Sequence, residues 1–160
     1  MNTEMYIVKK LSELGKTVTT VESCTGGMIA AALTSVAGSS SVFHQGYVTY
    51  CDKAKHKLVG VKKRTLKKYT AVSAPVAAQM ALGGAKQAGA DCCVSVTGYA
   101  GPPSGNGEEV GLVYIGCAVK GKAVVKECHF EGDRDAIRSQ AKEQALLLLK
   151  KCIDQKWNKK

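Results

Sequence analysis

Thr20-Val21-Glu22-Ser23-Cys24-Thr25-Gly26-Gly27-Met28-Ile29-Ala30-Ala31-Ala32-Leu33 is the stretch whose reading decides the fold. Residues 18–21 are all β-branched, residues 28–33 are mostly strong helix formers, and small or polar residues fill the boundary between them. A strand that ends near a serine and turns into a helix presents a hydroxyl beside unpaired backbone N–H groups. On this pattern alone Ser23 has three readings: a helix N-cap, part of a phosphate cradle, or a nucleophile whose oxyanion the same amides hold.

Outward from this turn, helical and strand patterns alternate. Residues 5–14 place Tyr6, Ile7, Leu11 and Leu14 near one helical face, with Gly15 as the stop. Strand 17–21 leads through the turn to a helix over 25–36, and 45–50 reads as a further strand. Short helices follow at 53–59 and 63–69, then a longer one to about residue 88 opened by Ser73-Ala74-Pro75. The apolar run 91–97 suits a buried strand, and 98–107, with four glycines and two prolines, is a loop. Strands at 111–119 and 123–130 meet at Lys120-Gly121-Lys122, and a last helix from Asp133 carries Ile137, Ala141, Ala145, Leu148, Cys152 and Ile153 on one side. The order predicts an α/β fold: a single three-layer α/β/α sandwich with a mixed sheet, one domain over 1–160.

Composition bounds the function. At 160 residues and 45% hydrophobic the chain can bury one real core. It has no apolar run long enough to span a membrane and no leader pattern, so a cytoplasmic protein without a membrane partner is expected. Seven cysteines, an odd number, without a CxxC pair or zinc spacing, predict reduced thiols and no metal site. The net charge of +10 is uneven: residues 53–68 hold eight basic residues and no acid, and residues 150–160 add five lysines. No nucleic-acid reading motif accompanies them, so solvated helix faces or an anionic small substrate are the expected uses. His44, His56 and His129 lie in separate segments and form no site.

Three other constellations bear on chemistry. Tyr50 closes a strand and Lys55 follows five residues later, so the two side chains could converge at a strand end. A lysine with a lowered pKa can take a proton from serine, and tyrosine can orient it or relay the proton. Arg134 and Arg138, four apart on a helix start, offer a phosphate clamp, or are neutralised by Asp133 and Asp135. The turn Thr97-Gly98-Tyr99-Ala100-Gly101-Pro102 after a buried strand is a candidate crevice wall.

Together Glu22-Ser23-Cys24-Thr25-Gly26-Gly27, Gly38-Ser39-Ser40, Gly46 to Tyr50 with Lys55, Gly60-Val61, Ala71-Val72-Ser73, Thr97 to Pro102, Val110-Gly111 and Gly132-Asp133-Arg134 resemble the CinA C-terminal family over residues 5–153. The resemblance implies an amidohydrolase of pyridine nucleotide recycling that converts nicotinamide mononucleotide to nicotinate mononucleotide and ammonia without a cofactor. It also implies a nucleotide substrate as the partner, and we expect a homo-oligomer. Longer family members carry an N-terminal domain that this sequence lacks, which favours the standalone form. By the resemblance Ser23 is the nucleophile, Lys55 its base and Tyr50 the orienting or relaying group. Substrate contacts fall to Thr25, Gly26, Gly27, Thr97, Gly98, Gly101, Arg134 and Arg138. Where relatives have Ser-Asn after the tyrosine, this chain has Cys51-Asp52, and the acid is expected to raise the Lys55 pKa. The rival reading is a non-catalytic nucleotide-binding or regulatory module linked to competence and DNA damage.

Overall fold

The computed structural model describes residues 1–157, so Lys159 and Lys160 of the basic tail lie outside the described residues. The elements are α1 (Thr3–Leu14), β1 (Val18–Glu22), α2 (Met28–Thr34), a 3-10 turn (Ser39–Ser41), β2 (Tyr47–Val48), α3 (Asp52–Val59), α4 (Lys63–Tyr69) and α5 (Ala74–Ala88). After them come β3 (Cys92–Gly98), β4 (Leu112–Val119), β5 (Lys122–His129) and α6 (Arg134–Trp157). The sheet runs β2-β1-β3-β4-β5, with β1 parallel to both β2 and β3, and β4 antiparallel to β3 and β5. This is the expected mixed sheet between helical layers.

Alternation along the central strands sorts the core into two halves. On β3, Cys92, Val94 and Val96 join Ile7, Leu11, Ile29, Ile137 and Leu149 beneath α1, α2 and α6. The intervening Cys93 packs with Val21, Val59, Val76 and Met80 beneath α3, α4 and α5. On that face Ser95 and Thr97 donate to the carbonyls of Ala77 and Ala71, so their buried hydroxyls are satisfied by α5 and by the loop that leads into it. The close approach of α5 depends on a missing side chain: a Cβ on Gly116 would sit 2.6 Å from the Ala77 oxygen. On α5 itself, a Cβ on Gly83 would fall 1.8 Å from the carbonyl oxygen of Val59, so this glycine lets the end of α3 lie against α5.

Four expectations need correction. Helix α2 starts at Met28, not Thr25, because Gly26 and Gly27 take φ of 56° and 108° and keep residues 23–27 in a turn. The 45–50 strand shrinks to Tyr47–Val48, paired only with Val21 and Glu22 at the sheet edge. On α6 the buried row keeps a spacing of four through positions 137, 141, 145, 149 and 153, so Leu149 is buried where Leu148 was expected, and Leu148 is half-buried. The β4–β5 connection is a two-residue turn, with Lys120 and Gly121 both at positive φ (51° and 77°), which matches the twist of a hairpin.

Candidate functional site

The site forms where β1, β2 and β3 end. Ser23 leaves β1 with its amide donating to the Val96 carbonyl of β3 (3.0 Å). Its hydroxyl lies 3.1 Å from the Lys55 amine, which reaches back from the first turn of α3 and also donates to the Thr49 carbonyl at 2.9 Å. Lys55 is only 2% exposed, so an amine that normally seeks water is enclosed by protein. Burial lowers its pKa from the ordinary lysine value, and Asp52 one helical turn away offsets only part of that. The expected upward push from Asp52 is therefore present but loses to desolvation. Asp52→Asn should lower the Lys55 pKa further and move the acid limb of any Lys55-dependent pH–rate profile to lower pH; steady-state rates across the pH range read the shift.

The start of α2 is not open to a ligand. With Gly27 as N-cap and no side chain of its own to offer, the amides of Ile29 and Ala30 are taken by the two side-chain oxygens of Glu22, at 2.9 and 3.0 Å. Glu22 is fully buried and directly precedes Ser23, so it ties the end of β1 to the first turn of α2 and frames the turn between. The phosphate-cradle reading of this helix start fails for that reason. Truncation in Glu22→Ala leaves one buried and one half-buried amide without acceptors and should lower stability by about 2–4 kcal/mol, read by urea unfolding.

Within the turn, Gly26 donates its amide to the Ser23 carbonyl (3.0 Å) and is spent there. Among the described residues the amides of Thr25 and Gly27 have no acceptor, and that of Cys24 meets only its own sulfur. Thr25 is fully buried, so it contributes backbone to the site and its hydroxyl does not reach the cleft. Cys24 beside the serine is also buried, and desolvation raises its thiol to about 11, which keeps it protonated at neutral pH.

Ser23 and Cys24 open onto a cleft of about 230 Å³ walled by Gly98, Tyr99, Gly101 and Glu108, with Tyr50 and Arg134 at its edge. Gly98 and Gly101 thus reach the cleft as expected, while Thr97 points away to the Ala71 carbonyl. Tyr50 is 58% exposed, and its hydroxyl accepts from Arg134 at 2.8 Å. The structure does not join it to Lys55 or Ser23. Arg134 also donates to the Gly101 carbonyl (2.7 Å), so one guanidinium spans the cleft from α6 to the β3–β4 loop. Arg138 does not form the second half of a clamp. Its Nε and Nη2 donate to the carbonyls of Cys24 (3.0 Å) and Thr25 (3.3 Å), holding the serine turn from behind. Tyr99 lies in the turn read as a crevice wall and lines the cleft, whereas Glu22, Glu108 and this use of Arg138 escaped the sequence reading; of these only Glu22, an acid just ahead of a helix, carried a signal. Four larger clefts, of about 530, 450, 290 and 280 Å³, contain neither Ser23 nor Lys55. Among the described residues no cluster of histidines, cysteines and acids could hold a metal, and no helix is long and apolar enough to cross a membrane.

A sequence model of the CinA C-terminal domain matches residues 2–153. The chain belongs to the CinA C-terminal domain family. Within the family it is 44% identical over 151 residues to the nicotinamide-nucleotide amidohydrolase PncC of Escherichia coli K12, covering 93% of this chain and 92% of that protein. It is 46% identical over 151 residues to a CinA-like protein of Kosmotoga olearia, where it covers 94% of this chain but spans only 37% of the relative's length. Among solved CinA-family structures, the competence/damage inducible protein CihA of Agrobacterium tumefaciens superposes with a TM-score of 0.90 at 39% identity, over 95% of this chain and 93% of that one. The superfamily protein of Klebsiella pneumoniae 700603 gives 0.91 at 33% identity, over 97% and 99%. The α/β architecture is therefore that of the CinA family.

Proposed function

We propose that the chain is a nicotinamide-nucleotide amidohydrolase of pyridine nucleotide recycling, which hydrolyses the carboxamide of nicotinamide mononucleotide through an acyl-enzyme on Ser23. The observation that carries the mechanism is the 3.1 Å contact between the Ser23 hydroxyl and a buried lysine amine whose pKa is lowered. When charged, Nζ donates to Oγ; when neutral, its lone pair can accept the hydroxyl proton as the oxygen attacks the carboxamide carbon. The amides of Cys24 and Thr25, to which no other described residue offers an acceptor, are the donors we assign to the oxyanion. The proton taken by Lys55 passes to the departing nitrogen, which leaves as ammonia. Water, deprotonated by the same amine, then releases nicotinate mononucleotide. Likeness over nearly the full length of PncC supports the choice of substrate.

A cleft of 230 Å³ lies below the range of about 300–1,000 Å³ usual for whole-ligand pockets. In this reading it receives the pyridine carboxamide, and the ribose 5′-phosphate lies at the rim against Arg134. Tyr50 then acts through Arg134, holding the guanidinium, and not as a relay between Ser23 and Lys55. The test is incubation of the purified chain with nicotinamide mononucleotide, following ammonia and the acid product by mass. Product formation is expected, and Arg134→Gln should raise KM about tenfold or more while leaving hydrolysis of the phosphate-free riboside nearly unchanged. Binding of the nucleotide without any turnover would restore the regulatory-module reading.

A further inference from the structure

Six of the seven cysteines are buried, and two of them, Cys117 on β4 and Cys152 on α6, meet at the interface of sheet and helix. The two side chains are neighbours that line one cleft. The neighbouring Cys152 and burial push Cys117 up, whereas Cys117, aided by the Lys151 ammonium, draws Cys152 down against its own burial. Both line a cleft of about 280 Å³ between β5 and the end of α6, rimmed by Lys122 and Lys156. Cys152 also lines the adjoining 450 Å³ cleft, beside Lys126 and Lys151. A small reagent can therefore reach its sulfur, in surroundings set by four ammonium groups. A reachable thiol in an electropositive setting, with a second thiol touching it, is the arrangement that favours disulfide exchange. Burial holds Cys92, Cys93 and Cys128 up, and none of them lines either cleft.

We propose that Cys152 and Cys117 form an exchanging thiol pair, converted to an intramolecular disulfide by anionic low-molecular-weight disulfides such as oxidised glutathione. The Cys152 thiolate attacks one sulfur of the reagent, the reagent's S–S bond breaks, and one glutathione leaves as a thiolate that water protonates. Cys117 then loses its proton to solvent and attacks the Cys152 sulfur of the mixed disulfide, expelling the second glutathione. Two protein thiols are oxidised by two electrons, and one reagent disulfide is reduced to two thiols. The lysines around both clefts attract the reagent's carboxylates. The new bond ties β4 to α6 about 27 Å along the helix from Arg134, at roughly 1.5 Å per residue, so this chemistry is separate from the Ser23 site.

Native wild-type chain is incubated with oxidised glutathione, quenched by acid and alkylation, and mapped by mass. The expected product is a Cys117–Cys152 disulfide, lighter by two hydrogens, with Cys92 and Cys93 unmodified. Cys117→Ala should stop at a glutathione adduct on Cys152, and Cys152→Ala should leave Cys117 untouched. Exposed Cys51 reports that the reagent is active. A wild-type chain whose Cys51 carries glutathione while Cys152 stays free overturns the proposal, as does a Cys152 adduct that persists in wild type as it does in Cys117→Ala. The wild-type masses decide even if a variant fails to fold, and none of the readouts depends on amide hydrolysis.

Discussion

Ser23→Ala should lower kcat for nicotinamide mononucleotide hydrolysis by about 10³–10⁴ or more, with KM little changed. The loss is this large because nothing nearby can replace the oxygen. Cys24 is adjacent, but its thiol, raised to about 11, stays protonated at neutral pH. Tyr50 is tied to Arg134. The fold should tolerate the change, since Ser23 is half-buried and among the described residues its hydroxyl hydrogen-bonds only with Lys55; the shift in unfolding free energy is expected within about 0.5–1 kcal/mol. Steady-state ammonia release together with urea unfolding separates the chemical loss from a structural one.

Lys55→Met is the second large effect. The thioether chain fills nearly the same volume but cannot accept a proton, so the rate should fall by about 10²–10⁴. Stability should move the other way from the rate, by an amount that depends on pH. In the folded chain burial holds the Lys55 pKa below its ordinary 10.5, so between the folded value and 10.5 the unfolded chain binds more protons. Wild-type stability therefore rises with pH across that window, and below it the penalty of the buried charge is fully present. Methionine removes both the penalty and the slope, although the Thr49 carbonyl loses its donor, which offsets part of the gain. Unfolding curves at several pH values should show a flatter profile for the variant, alongside the lost acid limb in activity.

The fold was legible where local chemistry and burial agree. Ser73-Ala74-Pro75 opens α5 as read, Gly15 and Gly60 stop their helices in the left-handed conformation, and the β4–β5 hairpin turns where it was expected, although on Lys120-Gly121 alone, with Lys122 already in the strand. The start of α2 was misread because residues ahead of its first turn decide it: Gly26 and Gly27 at positive φ hold 23–27 in a turn, and Glu22, seven residues before Ile29, supplies the cap that no adjacent residue offers. Ser23 and Lys55 were named in advance and lie in contact. Tyr50, Thr97 and Arg138 show the limit of spacing. Each has its polar group committed to a partner at least 26 residues away in sequence, and only the packing of α6 and α5 against the sheet reveals which. The sign of the Lys55 shift was likewise hidden. Sequence showed the neighbouring acid but not the enclosure that outweighs it.

The central claim is that Ser23, activated by Lys55, carries the acyl group. Its most direct test is rapid quench of wild-type enzyme with nicotinamide mononucleotide labelled in the pyridine ring, sampled from before the first turnover, followed by digestion and mass mapping. The account predicts a nucleotide ester on Ser23, equal to substrate less ammonia, that appears before nicotinate mononucleotide and decays into it. Turnover with the label on Cys24, or on no residue at any time point, would contradict it.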